Sequence, residues 1–389
     1  MRVLVVGNGQ SVHVVGRSQA LAARGANIRL VTLGPVLPSV GIETCTRPIP
    51  RNPVAAAHAL HGFLRDVRSF RPDLLHLHYA GGRLGSLALL SGIRPLAVNV
   101  MGGDVLPAQH PGGLSRAARR TTRRILERAD LLLVKSQQLL SAMAEFADAA
   151  QKAHVVRWGV DPERFYPDPQ AATECRRRLH LDNDALLVLS PRLVRPLYNI
   201  HLIVDAFAEL APSVPTSILL ITEYGSDAEY RRQIEARIAD RGLAARVRFI
   251  GTVPHAAMRE LYSAAAAVVM VPASDGLPQS LFESLACGAP VVVGRLPAYA
   301  EIVEEGISAL YADFKAESIA AALGRLLRDE RLRSALADAG RARVAERASL
   351  PSDIERVARL FEGLVGRPRP KPRPDPLGTL LDLLSLATS

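Results

Sequence analysis

The sequence has three cysteines, Cys45, Cys175 and Cys287. They are odd in number and far apart, which excludes a disulfide framework and a metal-type spacing. A reducing cytosol is the compartment they fit. Long apolar runs are missing, so no segment can span a bilayer as a helix. The opening MRVLVVGNG runs straight from an apolar strand into glycines and lacks the apolar stretch and cleavage site of a signal peptide. Aromatic residues make up only 5% of the chain. Its arginines have no aromatics interleaved among them, which argues against nucleic-acid binding. No internal repeat is apparent.

What is present describes a folded, basic, two-domain protein. A chain of 389 residues holds two ordinary domains. A hydrophobic share of 48% against 22% charged residues is that of a globular chain and not a disordered one. The formal charge of +10 points to anionic partners, whether nucleotides, phosphorylated acceptors, an acidic membrane surface or nucleic acid, and does not choose among them.

The most informative stretch is SDGLPQSLFESLACGAPVVVG, residues 274–294. Pro278 suits the first turn of a helix and Gly288 the position just past its end. At 100° per residue, Gln279, Ser280, Glu283, Ser284 and Cys287 fall on one side and Leu281, Phe282, Leu285 and Ala286 on the other. The apolar side is expected on a sheet and the polar side toward a cleft. Unpaired N–H groups at a helix start suit a phosphate. Asp275 lies just before that start and Glu283 eight positions later, a spacing that would set two hydroxyl-accepting carboxylates about a bound diphosphate. A capping acid and a solvated glutamate would give the same pattern.

The rest of the chain alternates strand and helix. Residues 2–6 read as a buried strand leading into Gly7-Asn8-Gly9-Gln10 and a helix from about Ser11 to Arg24, with the next strand at 27–32. This is the phosphate-approach unit of doubly wound sheets, although glycines also punctuate ordinary turns. Further strands are expected at 73–77, 96–100, 130–135 and 154–157, with a helix over 53–70. His78 and Asp104 lie just past strand ends, where parallel sheets bind ligands. His76 and His78 alternate on a strand, so one can equally be a hydrogen-bonded core histidine; Asp104 can equally cap a helix. Residues 114–128 form a basic helix with Arg116, Arg119, Arg120, Arg123 and Arg124 in one arc, a face that suits either solvent or anionic lipid. The proline-rich 161–169 reads as a linker. Strands are then expected at 185–190, 216–222, 247–250, 266–271 and 290–293, and helices over 199–210, 227–241, 255–263, 318–347 and 353–365. A basic residue after the first of these strands, Arg192, is a natural diphosphate ligand.

Residues 274–294 resemble the acidic-x7-Glu signature of the retaining glycosyltransferases of family 4. HVVGRSQALAARGANIRLVT, PLAVNVMGGDVL, WGVDPERFYP and FIGTVPHAAMRELY resemble the same family's other segments, so that the resemblance spans roughly residues 1–365. It implies an α/β protein of the GT-B fold, two Rossmann-like doubly wound domains facing across a cleft. The expected units are 1–164 on the acceptor side, 165–348 binding the nucleotide sugar, 349–366 as a helix crossing back, and 367–389 as a Pro/Arg-rich spacer and leucine-rich tail. It implies transfer of a hexose-type sugar from a UDP or GDP sugar to a hydroxyl acceptor with retention, without metal or other cofactor. Asp104, Asp275 and Glu283 are the implied catalytic residues, with Glu283 on the ribose and Asp275 on the donor sugar. Gly9, Arg192, Gly276, Leu277, Pro278, Gln279 and Ser280 would face the diphosphate and sugar, and backbone at Val253 the base.

Two departures stand out. The family has glutamate where this chain has Asp275. It also has a lysine some five residues after the arginine, where this chain reads Pro196-Leu197-Tyr198-Asn199. Arg195, Tyr198 and Asn199 are candidate substitutes, and His78 a further candidate in the first domain. The alternatives are a nucleotide-sugar epimerase on the same scaffold and a catalytically silent nucleotide-binding module. The expected location is the cytoplasm, with peripheral contact at the inner membrane face through the Arg helix as an added expectation.

Overall fold

A computed structural model describes residues 1–38, 41–49, 53–110, 112–182 and 184–366, the side chains of 53–57 excepted. The leucine-rich tail and its Pro/Arg-rich spacer lie outside the described residues. The chain divides into two compact units, Met1–Arg157 with Ser352–Ser389, and Trp158–Pro351.

Unit 1 is built on seven strands: β1 (Arg2–Val6), β2 (Asn27–Thr32), β3 (Glu43–Thr46), β4 (Leu74–His78), β5 (Leu96–Val100), β6 (Leu131–Val134) and β7 (Ala153–Val155). All pair in parallel, in the order β3-β2-β1-β4-β5-β6-β7. Such strands are covered on both faces, so they read as apolar runs. Leu4, Val6, Leu75, Leu77, Val98 and Leu132 enter one core with Ile125 and Leu126 of the basic helix Arg116–Arg128. Side chains alternate between faces of a strand, so His76 and His78 share the opposite face, where His78 pairs in register with Asn99. Phe361 of the helix Leu350–Leu364 packs edge-on against His76 there, with ring centroids 5.0 Å apart.

Unit 2 repeats the plan with six parallel strands: β8 (Leu186–Ser190), β9 (Ser217–Ile221), β10 (Val247–Phe249), β11 (Ala267–Met270), β12 (Val291–Gly294) and β13 (Leu310–Ala312). Their order is β10-β9-β8-β11-β12-β13. Strand order reverses between β8 and β11 here and between β1 and β4 in unit 1. In doubly wound sheets ligands bind outside the carboxyl ends of the strands at that point.

Several elements differ from the sequence reading. The linker ends earlier than expected, because Asp168 accepts a hydrogen bond from Ala171 N and opens a helix at Pro169–Arg178. The span 318–347 is two helices, Ala316–Arg328 and Glu330–Arg347, broken at Asp329, whose carboxylate caps the second through Leu332 N at 2.9 Å. The short strands β3 and β13, one at an edge of each sheet, were not foreseen.

The helix Gln279–Ala286 starts after Pro278 and ends as its sequence implies. Gly288 is left-handed at φ 74°. Gly288 N donates to Leu285 O at 3.0 Å and Ala289 N to Ser284 O at 2.9 Å, which satisfies the last carbonyls as a Schellman turn does. The solvated glutamate that the same pattern allowed is not found: Glu283, Ser284 and Cys287 are all buried, with Glu283 against His255 and Tyr262. The helix Glu330–Arg347 packs on the apolar side, where a Cβ on Gly340 would meet Leu285 Cδ2 at 2.5 Å.

Candidate active site

Arg192 follows β8 and Asp275 follows β11, at the reversal of strand order in unit 2. The two connecting loops are tied together. Asn199 Nδ2 donates to Val271 O at 2.9 Å and Ala273 N to Leu197 O at 2.8 Å.

Asp275 is held on both oxygens. Arg192 Nη2 donates to Oδ2 at 2.7 Å and Tyr299 Oη to the same oxygen at 3.1 Å. Gly276 N donates to Oδ1 at 2.8 Å. The Arg192 Nη1 group reaches Ser280 Oγ at 2.9 Å, and its guanidinium lies 4.7 Å from the centre of the Tyr198 ring. Burial disfavours the Arg192 charge, but Asp275 together with the neighbouring Tyr198, Tyr299 and Tyr262 outweighs it, and its pKa is raised. Burial pushes the Tyr299 phenol well up, so it remains a donor.

Glu283 lies on the polar side of its helix. His255 Nε2 is 2.8 Å from Oε1 and Tyr262 Oη donates to Oε2 at 3.4 Å. The Tyr262 phenol is likewise raised well above its ordinary value by burial, and then by Glu283. Burial first and Glu283 second push the Cys287 thiol up to about 12. The turn leading to His255 is fixed by Glu223: its N–H donates to Gly251 O at 2.9 Å, and Gly251 N returns a bond to Glu223 Oε2 at 3.0 Å. Val253 is half-buried on that turn.

The remaining predicted residues divide. Gly276, Leu277 and Pro278 form the buried approach to the helix, and Leu277 has a left-handed φ of 78°. A branched side chain in that region is a strained choice, and such strain gathers at ligand clamps. Gln279 points its amide at Trp158 O, so it meets a ligand through its backbone if at all. Arg195 is exposed and donates to Gly225 O at 2.7 Å, away from Arg192 and Asp275. Asn199, left-handed at φ 52°, spends its side-chain donor on Val271. Tyr198 alone of the three candidates joins the Arg192 group.

In unit 1, Gly9 N donates to Thr32 Oγ1 at 3.0 Å, and a Cβ there would meet Pro35 O at 2.8 Å. Asp104 is buried and gathers backbone N–H groups: Ala80 at 2.8 Å, Gly102 at 2.8 Å and Met101 at 3.0 Å. Burial raises its pKa against the pull of those bonds. This is the geometry of a carboxylate that shapes a loop. His78 Nδ1 accepts from Asn99 Nδ2 at 3.0 Å. Burial holds His78 well below the usual histidine range and pushes His76 down to about 3, with Arg17 adding to both. Arg17 itself is lowered to about 9 by burial, opposed by Asp353. Arg116, Arg119, Arg120 and Arg123 are exposed and Arg124 half-buried, while Thr121, Thr122, Ile125 and Leu126 turn inward. Among the described residues no helix is long and apolar enough to cross a membrane.

Sequence reasoning missed Tyr299, Tyr262 and His255 as partners of the two acids. It also missed Tyr79, left-handed at φ 87° beside Asp104's loop. Tyr262 is the one with a local signal, since it falls two helical turns after His255.

Residues 172–343 match the family of glycosyl transferases group 1, and residues 7–164 match Glycosyltransferase Family 4. The chain is 31% identical over 290 residues to the GDP-mannose-dependent alpha-(1-6)-phosphatidylinositol monomannoside mannosyltransferase of Mycolicibacterium smegmatis, covering 72% of this chain and 73% of the relative. It is 29% identical over 362 residues to the D-inositol 3-phosphate glycosyltransferase of Frankia alni, covering 85% and 88%. Among solved structures, sucrose-phosphate synthase from Thermosynechococcus elongatus superposes with a TM-score of 0.82 at 21% identity, covering 94% of this chain and 99% of that one. Anabaena HepE in complex with UDP and glucose gives 0.80 at 17% identity, covering 94% and 100%. The fold these chains share with it is GT-B.

Proposed function

From the premise that this chain belongs to glycosyltransferase family 4, a family of nucleotide-sugar glycosyltransferases, we propose that it transfers a hexose from a nucleoside diphosphate sugar to a hydroxyl acceptor with retention of anomeric configuration. The observation that carries this reading is the assembly of Asp275, Arg192 and Ser280 at the carboxyl ends of β8 and β11, with Glu283 farther along the same helix. Glu283 accepts the ribose hydroxyls and Asp275 a hydroxyl of the donor sugar. Arg192, Ser280 and the N–H groups that open the helix hold the diphosphate. Charge that grows on the departing diphosphate is met by groups already in place, which is the main catalytic contribution. The departing phosphate takes the acceptor's proton, so no protein nucleophile and no cofactor is assigned. Asp104 acts in this scheme by holding the acceptor-side loop and not by touching the reacting atoms.

The GDP-mannose-dependent relative supports a GDP-hexose donor, and the phosphatidylinositol and inositol 3-phosphate relatives support an acceptor hydroxyl on a cyclitol. The test is incubation of the full chain with GDP-mannose, UDP-glucose and their C2 and C4 epimers, with and without inositol 3-phosphate and phosphatidylinositol. Nucleotide release from one donor, stimulated by an acceptor and abolished in Glu283→Ala, is the expected result. An isomerised nucleotide sugar would replace this reading with an epimerase, and failure to bind any member of the panel would end it.

A further inference from the structure

We propose that Tyr299 is a positioning residue that sets donor-sugar selectivity by fixing the orientation in which the Asp275 carboxylate meets the sugar. The proposal rests on the assignment of Asp275 to the donor sugar.

The argument begins with length. Aspartate is one methylene shorter than the glutamate this position resembles, so its carboxylate sits closer to the floor of the site and has less freedom to reach. The floor supplies two donors, and both choose one oxygen. Arg192 Nη2 and Tyr299 Oη converge on Oδ2 at 2.7 and 3.1 Å. Gly276 N takes Oδ1 at 2.8 Å. A carboxylate offers about four lone-pair sites. Three are taken, and the remaining one lies on Oδ1. Rotating the carboxylate out of this plane would break two charge-assisted bonds at once, so the free lone pair keeps one direction. A single fixed acceptor reads a single hydroxyl, and a site built around one hydrogen bond rejects sugars that lack it in that place.

Tyr299 fits this role on its own geometry. It is fully buried in the short helix Pro297–Ala300 that follows β12. Arg192 is shared among Asp275, Ser280 and the Tyr198 face, so it alone does not fix the carboxylate. Tyr299 spends its hydroxyl on Asp275.

The experiment compares the gain in affinity that the sugar adds to the bare nucleotide. Dissociation constants of GDP and GDP-mannose, and of UDP and UDP-glucose, are measured by calorimetry on the full chain for wild type, Tyr299→Phe, Asp275→Asn and the double variant. Thermal melting serves as the folding control. Tyr299→Phe is expected to leave nucleotide affinity within about twofold and to weaken nucleotide-sugar binding about tenfold, the scale of one hydrogen bond to a charged group. Preference between C2- or C4-epimeric donors shrinks with it. In the Asp275→Asn background Tyr299→Phe adds nothing. Equal loss for nucleotide and nucleotide sugar, no loss at all, or the same loss in both backgrounds would each overturn the proposal. If Asp275→Asn itself leaves sugar binding unchanged, the assignment of Asp275 fails instead.

Discussion

His255 Nε2 stands 2.8 Å from Glu283 Oε1, at the start of the turn-and-helix that also supplies Tyr262 to Oε2. The turn that carries Val253 and His255 and the helix that carries Glu283 are thereby one hydrogen-bonded unit. His255→Ala is expected to weaken nucleoside diphosphate binding by about tenfold, the value of one hydrogen bond to a carboxylate. The loss should be equal for the nucleotide and its sugar conjugate, which calorimetry with both ligands measures.

Arg192 and Asp275 are both largely withdrawn from water, at 12% and 9% side-chain exposure. Removing one member of such a pair strands the other charge, at about 3–5 kcal/mol. Arg192→Ala should therefore cost more stability than Arg192→Ala combined with Asp275→Ala. The single tryptophan, Trp158, is buried in unit 2, so its fluorescence during denaturant unfolding follows the relevant unit.

Asp104→Asn tests whether that residue shapes its loop. An amide cannot accept from all three backbone donors as the carboxylate does. A loss of about 1–3 kcal/mol in the unfolding of unit 1 is expected, with acceptor KM rising while nucleotide affinity in unit 2 holds. Loss of kcat without loss of stability would give Asp104 a direct chemical role.

His76 and His78 make unit 1 sensitive to acid. Both have folded-state pKa values below the unfolded value of about 6.5, His76 at about 3. Below pH 6.5 the unfolded chain binds protons that the folded unit does not, so stability falls as pH falls, by about 1.4 kcal/mol per pH unit for each histidine until its folded pKa is reached. Urea unfolding followed by circular dichroism at pH 7.5 and 5.0 measures the slope. Imidazole carbon shifts of both rings should stay in the neutral form across that range.

The stretch 274–294 was readable because its signals are local: Pro278 and Gly288 bracket the helix, and an eight-residue spacing separates the two acids. Parallel sheets were readable for the same reason, from apolar runs such as 2–6 and 267–271 set between helix-length segments. The partners of the acids were not. Tyr299 lies 24 positions from Asp275 and His255 28 from Glu283, and only the return of the chain through β11 and β12 brings them together. The burial of Ser284 and Cys287 was hidden likewise, because a polar helix side does not reveal which later or earlier elements cover it. The loss of the lysine after Arg192 was visible, but that Tyr198 and not Arg195 would join Arg192 depends on how the 193–199 loop folds. Edge strands β3 and β13 carry three or four residues each, too few for any periodicity to show.

The helix Leu350–Leu364 begins in one unit and ends in the other, and this orders events during synthesis. Ile354, Val357 and Phe361 are buried in unit 1, each worth roughly 1.5–3 kcal/mol, yet they emerge from the ribosome only after all of unit 2. The first unit to be translated is thus the last to be completed. Until then the face of β4 that carries His76 lacks Phe361. A nascent or truncated chain ending before Ser352 would hold a finished second unit and an unfinished first, the reverse of the order in which they were made.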